Sequence, residues 1–133
     1  MDPVKVFIVD DSAQLIEVLS ELISDPGNVV VCGSADTAQQ AVEDIAQTVA
    51  DVVIADLQLT DGSGFDVVKA IREQESASGH GTGSKRKLVM LFSNHVSPEL
   101  KRHALALGAD HFLDKSSDHV RLIELIQQRV AAR

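Results

Sequence analysis

Apolar residues follow two alternating rhythms along this chain. Val4 to Val9 is a run broken only by Lys5, the pattern of a buried strand, and two aspartates end it. Leu15, Ile16, Val18, Leu19, Leu22 and Ile23 then recur at helical spacing, one stripe that closes near Asp25-Pro26-Gly27, a helix stop followed by a turn. Val29 to Cys32 predicts a second strand. A second helix opens at Asp36-Thr37-Ala38-Gln39, where Asp36 can cap and Gln39 can reach back, with Ala38, Ala41, Val42, Ile45 and Val49 facing inward. Val52 to Ala55 is the third strand and delivers Asp56. After the loop Leu57 to Gly62, a helix runs from about Gly64 to Gln74 with Phe65, Val68 and Ile71 inward. Glu75 to Ser84 is too polar to pack and reads as a mobile surface connection. Leu88 to Phe92 is the fourth strand. Ser97-Pro98 starts a helix that Gly108 ends, Phe112 and Leu113 form a short fifth strand, and a last helix from about Asp118 carries Val120, Ile123, Ile126 and Val130 as its stripe.

Strands alternating with helices of this length predict parallel βαβ units with right-handed crossovers, an α/β doubly wound sheet with helices on both faces. In such a sheet the strand ends meet along one edge, where ligand sites form. Asp10, Asp11, Asp56, Ser93 and Lys115 each stand where a strand-like run gives out. Taken singly, each has an ordinary reading. Asp10 and Asp11 suit an N-cap and first-turn acid for the helix that starts at Ser12; Asp56 can open a loop, Ser93 end a strand and Lys115 sit in solvent. Their joint placement is the signal. Three carboxylates repel one another unless a cation is bound, and oxygen ligands of this kind suit Mg²⁺. A carboxylate nucleophile, a metal and a cation are the parts of a phosphoryl-transfer site, whose transition state spreads negative charge over oxygen.

Composition narrows the picture. A length of 133 residues fits one domain, expected to span 1–133, that buries roughly two thirds of its unfolded surface. Four Phe with no Tyr or Trp, together with a net charge of −8, argue against nucleic acid as a partner of this domain. Cys32 is the one cysteine, so no internal disulfide is available and a reducing, cytoplasmic setting is expected. No export pattern follows Met1, no run approaches spanning length, and no membrane contact is expected.

The chain resembles the response-regulator receiver domains of two-component signalling. The resemblance rests on Val9-Asp10-Asp11-Ser12, on Asp56 through Gly64 (DLQLTDGSG), on Ser93 after the fourth strand, and on Gly108-Ala109-Asp110-His111-Phe112-Leu113-Asp114-Lys115. It implies a flavodoxin-like strand order 2-1-3-4-5, Asp56 as phosphoacceptor, Asp11 as a direct Mg²⁺ ligand, Asp10 as a ligand through water, and the Gln58 carbonyl completing the shell. Ser93 is then the switch hydroxyl, Phe112 the switch aromatic, whose plain alternative is a core residue, and Lys115 the phosphate partner. Implied partners are a histidine kinase or histidine phosphotransfer protein, and a downstream protein or output domain docking on the face of the fourth helix, fifth strand and fifth helix. A phosphorylation-dependent homodimer is a further implied assembly.

Two positions depart from the family pattern. Thr60 and Ser116 stand where many receivers carry proline; the second proline often follows a cis bond, which costs about 3 kcal/mol without proline and leaves the Lys115-Ser116 isomer open. The rival enzyme reading is a phosphatase with an aspartyl nucleophile. Such hydrolases usually place an acid two residues after the nucleophile, where this chain has Gln58, so at most slow autodephosphorylation is expected. A receiver-like module that never accepts phosphate is disfavoured because every acidic position is filled. Other motifs carry less. The stretch from Gly79 to Lys85 mimics a phosphate loop but follows a helix, His95, His103, His111 and His119 would not converge on a metal, and Lys85-Arg86-Lys87 is a solvated loop.

Overall fold

The computed structural model describes residues 2–77 and 86–133. The elements are β1 (Val4–Val9), α1 (Ala13–Ile23), β2 (Val29–Ala35), α2 (Ala38–Gln47), β3 (Val52–Ala55), α3 (Gly64–Ala77), β4 (Leu88–Ser93), α4 (Pro98–Leu107), β5 (His111–Asp114) and α5 (His119–Ala131). The five strands pair in parallel, in the expected order β2-β1-β3-β4-β5. Side chains alternate across the sheet. Phe7, Val9, Val53, Leu91 and Phe112 pack with residues of α2, α3 and α4, whereas Val6, Ile8, Ile54, Met90 and Phe92 pack with residues of α1 and α5. Burial on both faces is why the strands read as near-continuous apolar runs.

Several expectations need correction at element ends. β2 continues to Ala35, past an irregularity where Val6 pairs Val31 but Phe7 pairs Gly33, so Cys32 is displaced and exposed. Only glycine fits at 33, because an added Cβ would lie 2.8 Å from Phe7 Cε2. Thr37, not Asp36, caps α2: its hydroxyl accepts from the Gln40 N–H at 3.2 Å, and Gln39 pairs with Glu43 instead of reaching back. Val49 lies beyond the helix end and is 73% exposed. On α1 the stripe is wider than the surface it covers, so Leu19 and Ile23 are buried while Val18 (52%) and Leu22 (45%) face outward. On α5 the buried line is Leu122, Leu125 and Ile126, and Val120 is 68% exposed.

α3 runs past Gln74 to Ala77, so the first part of the expected mobile connection is helical; residues 78–85, including the loop from Gly79 to Lys85, lie outside the described residues. From Arg86 onward the chain is tied back to the fold. Arg72 donates from Nε to Gly108 O at 2.9 Å, from one terminal nitrogen to Glu75 at 2.7 Å and Lys87 O at 3.0 Å, and from the other to Asp110 at 3.0 Å. Glu75 accepts from the Lys87 N–H at 2.7 Å, and Asp110 accepts from Arg86 at 2.5 Å and from the Val89 N–H at 2.8 Å. This network lies at the N-terminal ends of β4 and β5.

Candidate functional site

The opposite edge carries the site. The backbone at each chemical position is held by the neighbouring strand: Asp10 N–H donates to Ala35 O at 3.0 Å, Asp56 N–H to Val9 O at 2.8 Å, and Lys115 N–H to Ser93 O at 2.9 Å. Residues 105 apart in sequence thereby meet. Lys115 Nζ donates to Asp10 Oδ2 and Asp56 Oδ2, both at 2.9 Å. Asp10 is buried, Asp11 is exposed, and Asp10, Asp11 and Asp56 each offer an oxygen within 4.8 Å of the others. Among the described residues this is the one such group of potential metal ligands.

The capping reading of the acids does not hold. Ser12 caps α1, accepting from the Leu15 N–H at 3.2 Å, and its own N–H donates to Asp10 Oδ1 at 2.8 Å. Asp10 is therefore oriented by the turn and its second oxygen is left to face the cluster. Asp11 accepts from the Thr60 hydroxyl at 3.3 Å, a role at the site that its reading as a departure from a family proline did not include.

The loop after Asp56 folds back on itself. Gln58 and Ser63 form an isolated antiparallel bridge, the Gln58 N–H donates to Asp56 Oδ1 at 3.3 Å, and Asp61 O accepts from the Ala38 N–H at 3.0 Å. Gly64 sits so close beneath the site that an added Cβ would lie 2.5 Å from Asp56 O and 2.7 Å from Leu91 Cδ2. No larger residue fits there without moving Asp56.

The charge balance decides what the cluster can do. Three carboxylates face one ammonium, an excess of two negative charges. At 4.8 Å two like charges repel by about 3 kcal/mol at an effective dielectric of about 20, enough to favour a divalent cation strongly. Burial would lower the Lys115 pKa, but its hydrogen bonds to Asp10 and Asp56 and their charges outweigh that and raise it, so the lysine stays cationic. The donor set, hard oxygens in excess of positive charge, fits Mg²⁺.

Ser93 is buried and its hydroxyl oxygen accepts from the His95 N–H at 3.1 Å. Phe112 is buried in the core cluster with Leu91, Ala104 and Ala109, as its plain alternative requires. The histidines disperse: the His103 ring meets Phe65 edge-on at 4.6 Å and the His119 ring meets Phe92 at 5.5 Å. There are no cis peptide bonds among the described residues, so Lys115-Ser116 is trans. Its turn is closed by Asp114 and Asp118, which sequence reasoning did not single out.

Comparison with known proteins identifies the family and the fold. A family model described as the response regulator receiver domain matches residues 6–127. The chain is 30% identical, over 97% of its length, to a protein-glutamate methylesterase/protein-glutamine glutaminase of Idiomarina loihiensis, but spans 33% of that protein. It is 28% identical over 98% of its length to the nitrate/nitrite response regulator protein NarL of Escherichia coli, spanning 56% of it. A solved signal receiver domain from Mycobacterium tuberculosis, ascribed to NarL, superposes with a TM-score of 0.83 at 28% identity, with full coverage of both chains. The chain thus spans about a third of the methylesterase and about half of the regulator. Among the described residues no helix is long and apolar enough to cross a membrane.

Proposed function

The chain belongs to the response regulator receiver domain family, and on that premise we propose that Asp56 is its phosphoacceptor. The observation that carries this is the Lys115 ammonium 2.9 Å from oxygens of both Asp56 and Asp10, inside a cluster with two negative charges to spare. The donor is a phosphohistidine of a kinase or phosphotransfer protein. An Asp56 carboxylate oxygen bonds to phosphorus, the phosphorus–nitrogen bond breaks, and its electron pair leaves with the imidazole. Asp11, Asp56 and the Gln58 carbonyl would hold Mg²⁺, with Asp10 acting through water, and the ion would offset charge on the phosphoryl oxygens. Lys115 supplies a second cation to the same oxygens, as a fixed group that needs no rearrangement at the moment of transfer.

The signal then leaves through Ser93 and Phe112. Ser93 ends β4 beside the site, and Phe112 on β5 packs with Ala104 of α4, so a change at the Ser93 hydroxyl reaches the α4, β5 and α5 face through contiguous packing. That face serves an output domain, a downstream protein or a second copy. Gln58 has no titratable group with which to activate water, so hydrolysis of the acyl phosphate is slow and the domain acts as a signalling device. An exposed free Cys32 suits a reducing, cytoplasmic setting.

The test is labelling by acetyl phosphate or phosphoramidate, followed by intact mass. One phosphoryl group adds to the wild type when Mg²⁺ is present and none to Asp56→Asn. A label of equal yield on the Asn variant overturns the assignment.

A further inference from the structure

The turn between β5 and α5 is built unlike an ordinary helix entry. Asp118 stands at the N-cap of α5, yet its side chain makes no capping hydrogen bond. Its Oδ2 accepts instead from the Asp114 N–H at 2.8 Å, while the Asp118 N–H returns to Asp114 O at 2.9 Å. The two residues are thus tied in both directions across the turn. Within it, Asp114 Oδ1 accepts from the Ser116 N–H at 2.8 Å and from the Ser116 hydroxyl at 2.6 Å. Those two donors hold the Asp114 carboxyl below its usual range, so it stays an anion and the tie persists. Lys115 is the residue enclosed.

We propose that Asp114, Ser116 and Asp118 form a hydrogen-bonded turn that aims Lys115 at Asp10 and Asp56, which makes all three positioning residues for the phosphoryl site. A proline at 116 would restrict the backbone through its ring; this chain has Ser116, and restricts the backbone by pairing the polar groups that flank the lysine. The Lys115 N–H is itself held by Ser93 O at 2.9 Å, so the backbone is pinned on the strand side as well. With the main chain fixed, a flexible lysine loses less freedom in spanning two carboxylates at 2.9 Å each. The side-chain hydrogen bonds of Asp114, Ser116 and Asp118 stay within the turn, so these residues act on the site through Lys115.

The test compares Ser116→Ala, Asp118→Ala and Ser116→Thr with the wild type, well below their melting temperatures. In NMR spectra the Lys115 Nζ resonance is expected to shift and broaden in both Ala variants and to return in Ser116→Thr, which keeps the hydroxyl and the N–H. The rate of labelling by acetyl phosphate with Mg²⁺ should fall by up to about 100-fold in the Ala variants, the cost of misplacing a charged group by about 1 Å, and recover in the Thr variant. The phosphorylation arm rests on the proposed function, but the Nζ signal does not. A wild type that never labels sinks that function and leaves the Nζ arm to decide the turn. Wild-type Nζ signals in both Ala variants, or no rescue by Ser116→Thr, overturn the positioning role.

Discussion

The two edges of the sheet each hold a partly buried ionic network, and they are built to opposite specifications. At the N-terminal edge of β4 and β5, Arg72 and Arg86 meet Glu75 and Asp110, two cations against two anions, and Arg72 also donates to the carbonyls of Gly108 and Lys87. That network is neutral and saturated. At the C-terminal edge Lys115 is the one cation among the described residues that pairs with the cluster of Asp10, Asp11 and Asp56, which leaves an excess of negative charge there. A saturated network can only stabilise; an undercompensated one is poised to take a cation and a phosphoryl group. Ion-pair distances are similar at the two edges, 2.5–3.0 Å against 2.9 Å, and the charge count is what separates them.

The largest expected effect falls on the saturated edge. Arg72→Ala leaves Asp110 without its buried cationic partner, removes donors from two carbonyls, and opens the space against Gly108, where the Arg72 side chain packs so tightly that an added Cβ would meet its Cγ at 2.7 Å. Breaking one side of such a network should cost about 3 kcal/mol in urea denaturation. Phosphorylation of the folded variant should be unchanged. The same edge has a predictable pH response. Burial works to raise the Asp110 carboxyl, but the Val89 N–H, Arg86 and Arg72 outweigh it and hold it below 3.8. Its contribution is then complete above pH 3.8 and lost as pH falls through the folded value, so the stability gap between wild type and Asp110→Asn should close only in that acidic window. A gap that closes near neutrality, or an Arg72→Ala variant as stable as wild type, would break the comparison.

At the undercompensated edge, single changes should move stability in opposite directions. Lys115→Met leaves the buried Asp10 carboxylate facing Asp56 unscreened, and should cost about 2 kcal/mol without metal. Mg²⁺ should restore more stability in this variant than in wild type, since it takes over the missing charge. Because Lys115 has a raised pKa, its contribution is present below pH 10.5 and lost as pH climbs through the folded value. Asp11→Asn works the other way. It lowers the repulsion and should leave metal-free thermal stability unchanged or up to about 1 kcal/mol higher, while Mg²⁺ binding followed by calorimetry weakens by about tenfold or more. If both variants lose stability equally without metal, the excess charge at this edge is not what defines it.

How far the sequence reveals each edge also differs. The site was legible because strand ends converge by topology, so Asp10, Asp56, Ser93 and Lys115 needed only the alternation of strands and helices to be brought together. The Arg72 network was not, since Arg72 reads as one more polar residue on an amphipathic helix and its partner Asp110 lies 38 positions away. Helix faces were legible in kind but not in extent: Val18, Leu22 and Val120 belong to apolar stripes, yet the sheet is too narrow to cover whole stripes, and burial stops partway round. Caps failed by one residue at α2, because Asp36 and Thr37 are both good caps and only the backbone path decides between them. The turn around Lys115 was invisible for a further reason. Asp114, Ser116 and Asp118 are individually ordinary in a loop, and their function lies in reciprocal bonds that no pattern of apolar positions reports.

The smallest expected effect sharpens what the undercompensated edge leaves to solvent. Once phosphate is on Asp56, its lifetime depends on how readily water reaches phosphorus in line with the leaving carboxylate oxygen. Gln58 and His95 come two positions after Asp56 and Ser93, and both residues are exposed. Their backbones are engaged with the site: the Gln58 N–H donates to Asp56 Oδ1 at 3.3 Å and the His95 N–H to Ser93 Oγ at 3.1 Å. Substitution by alanine keeps both N–H groups, so Gln58→Ala and His95→Ala remove only what the side chains shield or orient. An amide can hold a water but cannot take its proton, which limits Gln58 to a modest effect. The expectation is a change in dephosphorylation rate of less than about tenfold, smaller than the roughly 10²- to 10⁴-fold typical of losing a general base. Mg²⁺ affinity should stay at the wild-type value, because neither side chain belongs to the acidic cluster proposed to hold the ion. Decay rates matching wild type in both variants would show that access is set by the backbone and Lys115 alone. A loss beyond about 10²-fold would mean instead that one of these side chains does chemistry, and that this edge is nearer to a hydrolase than its charge count implies.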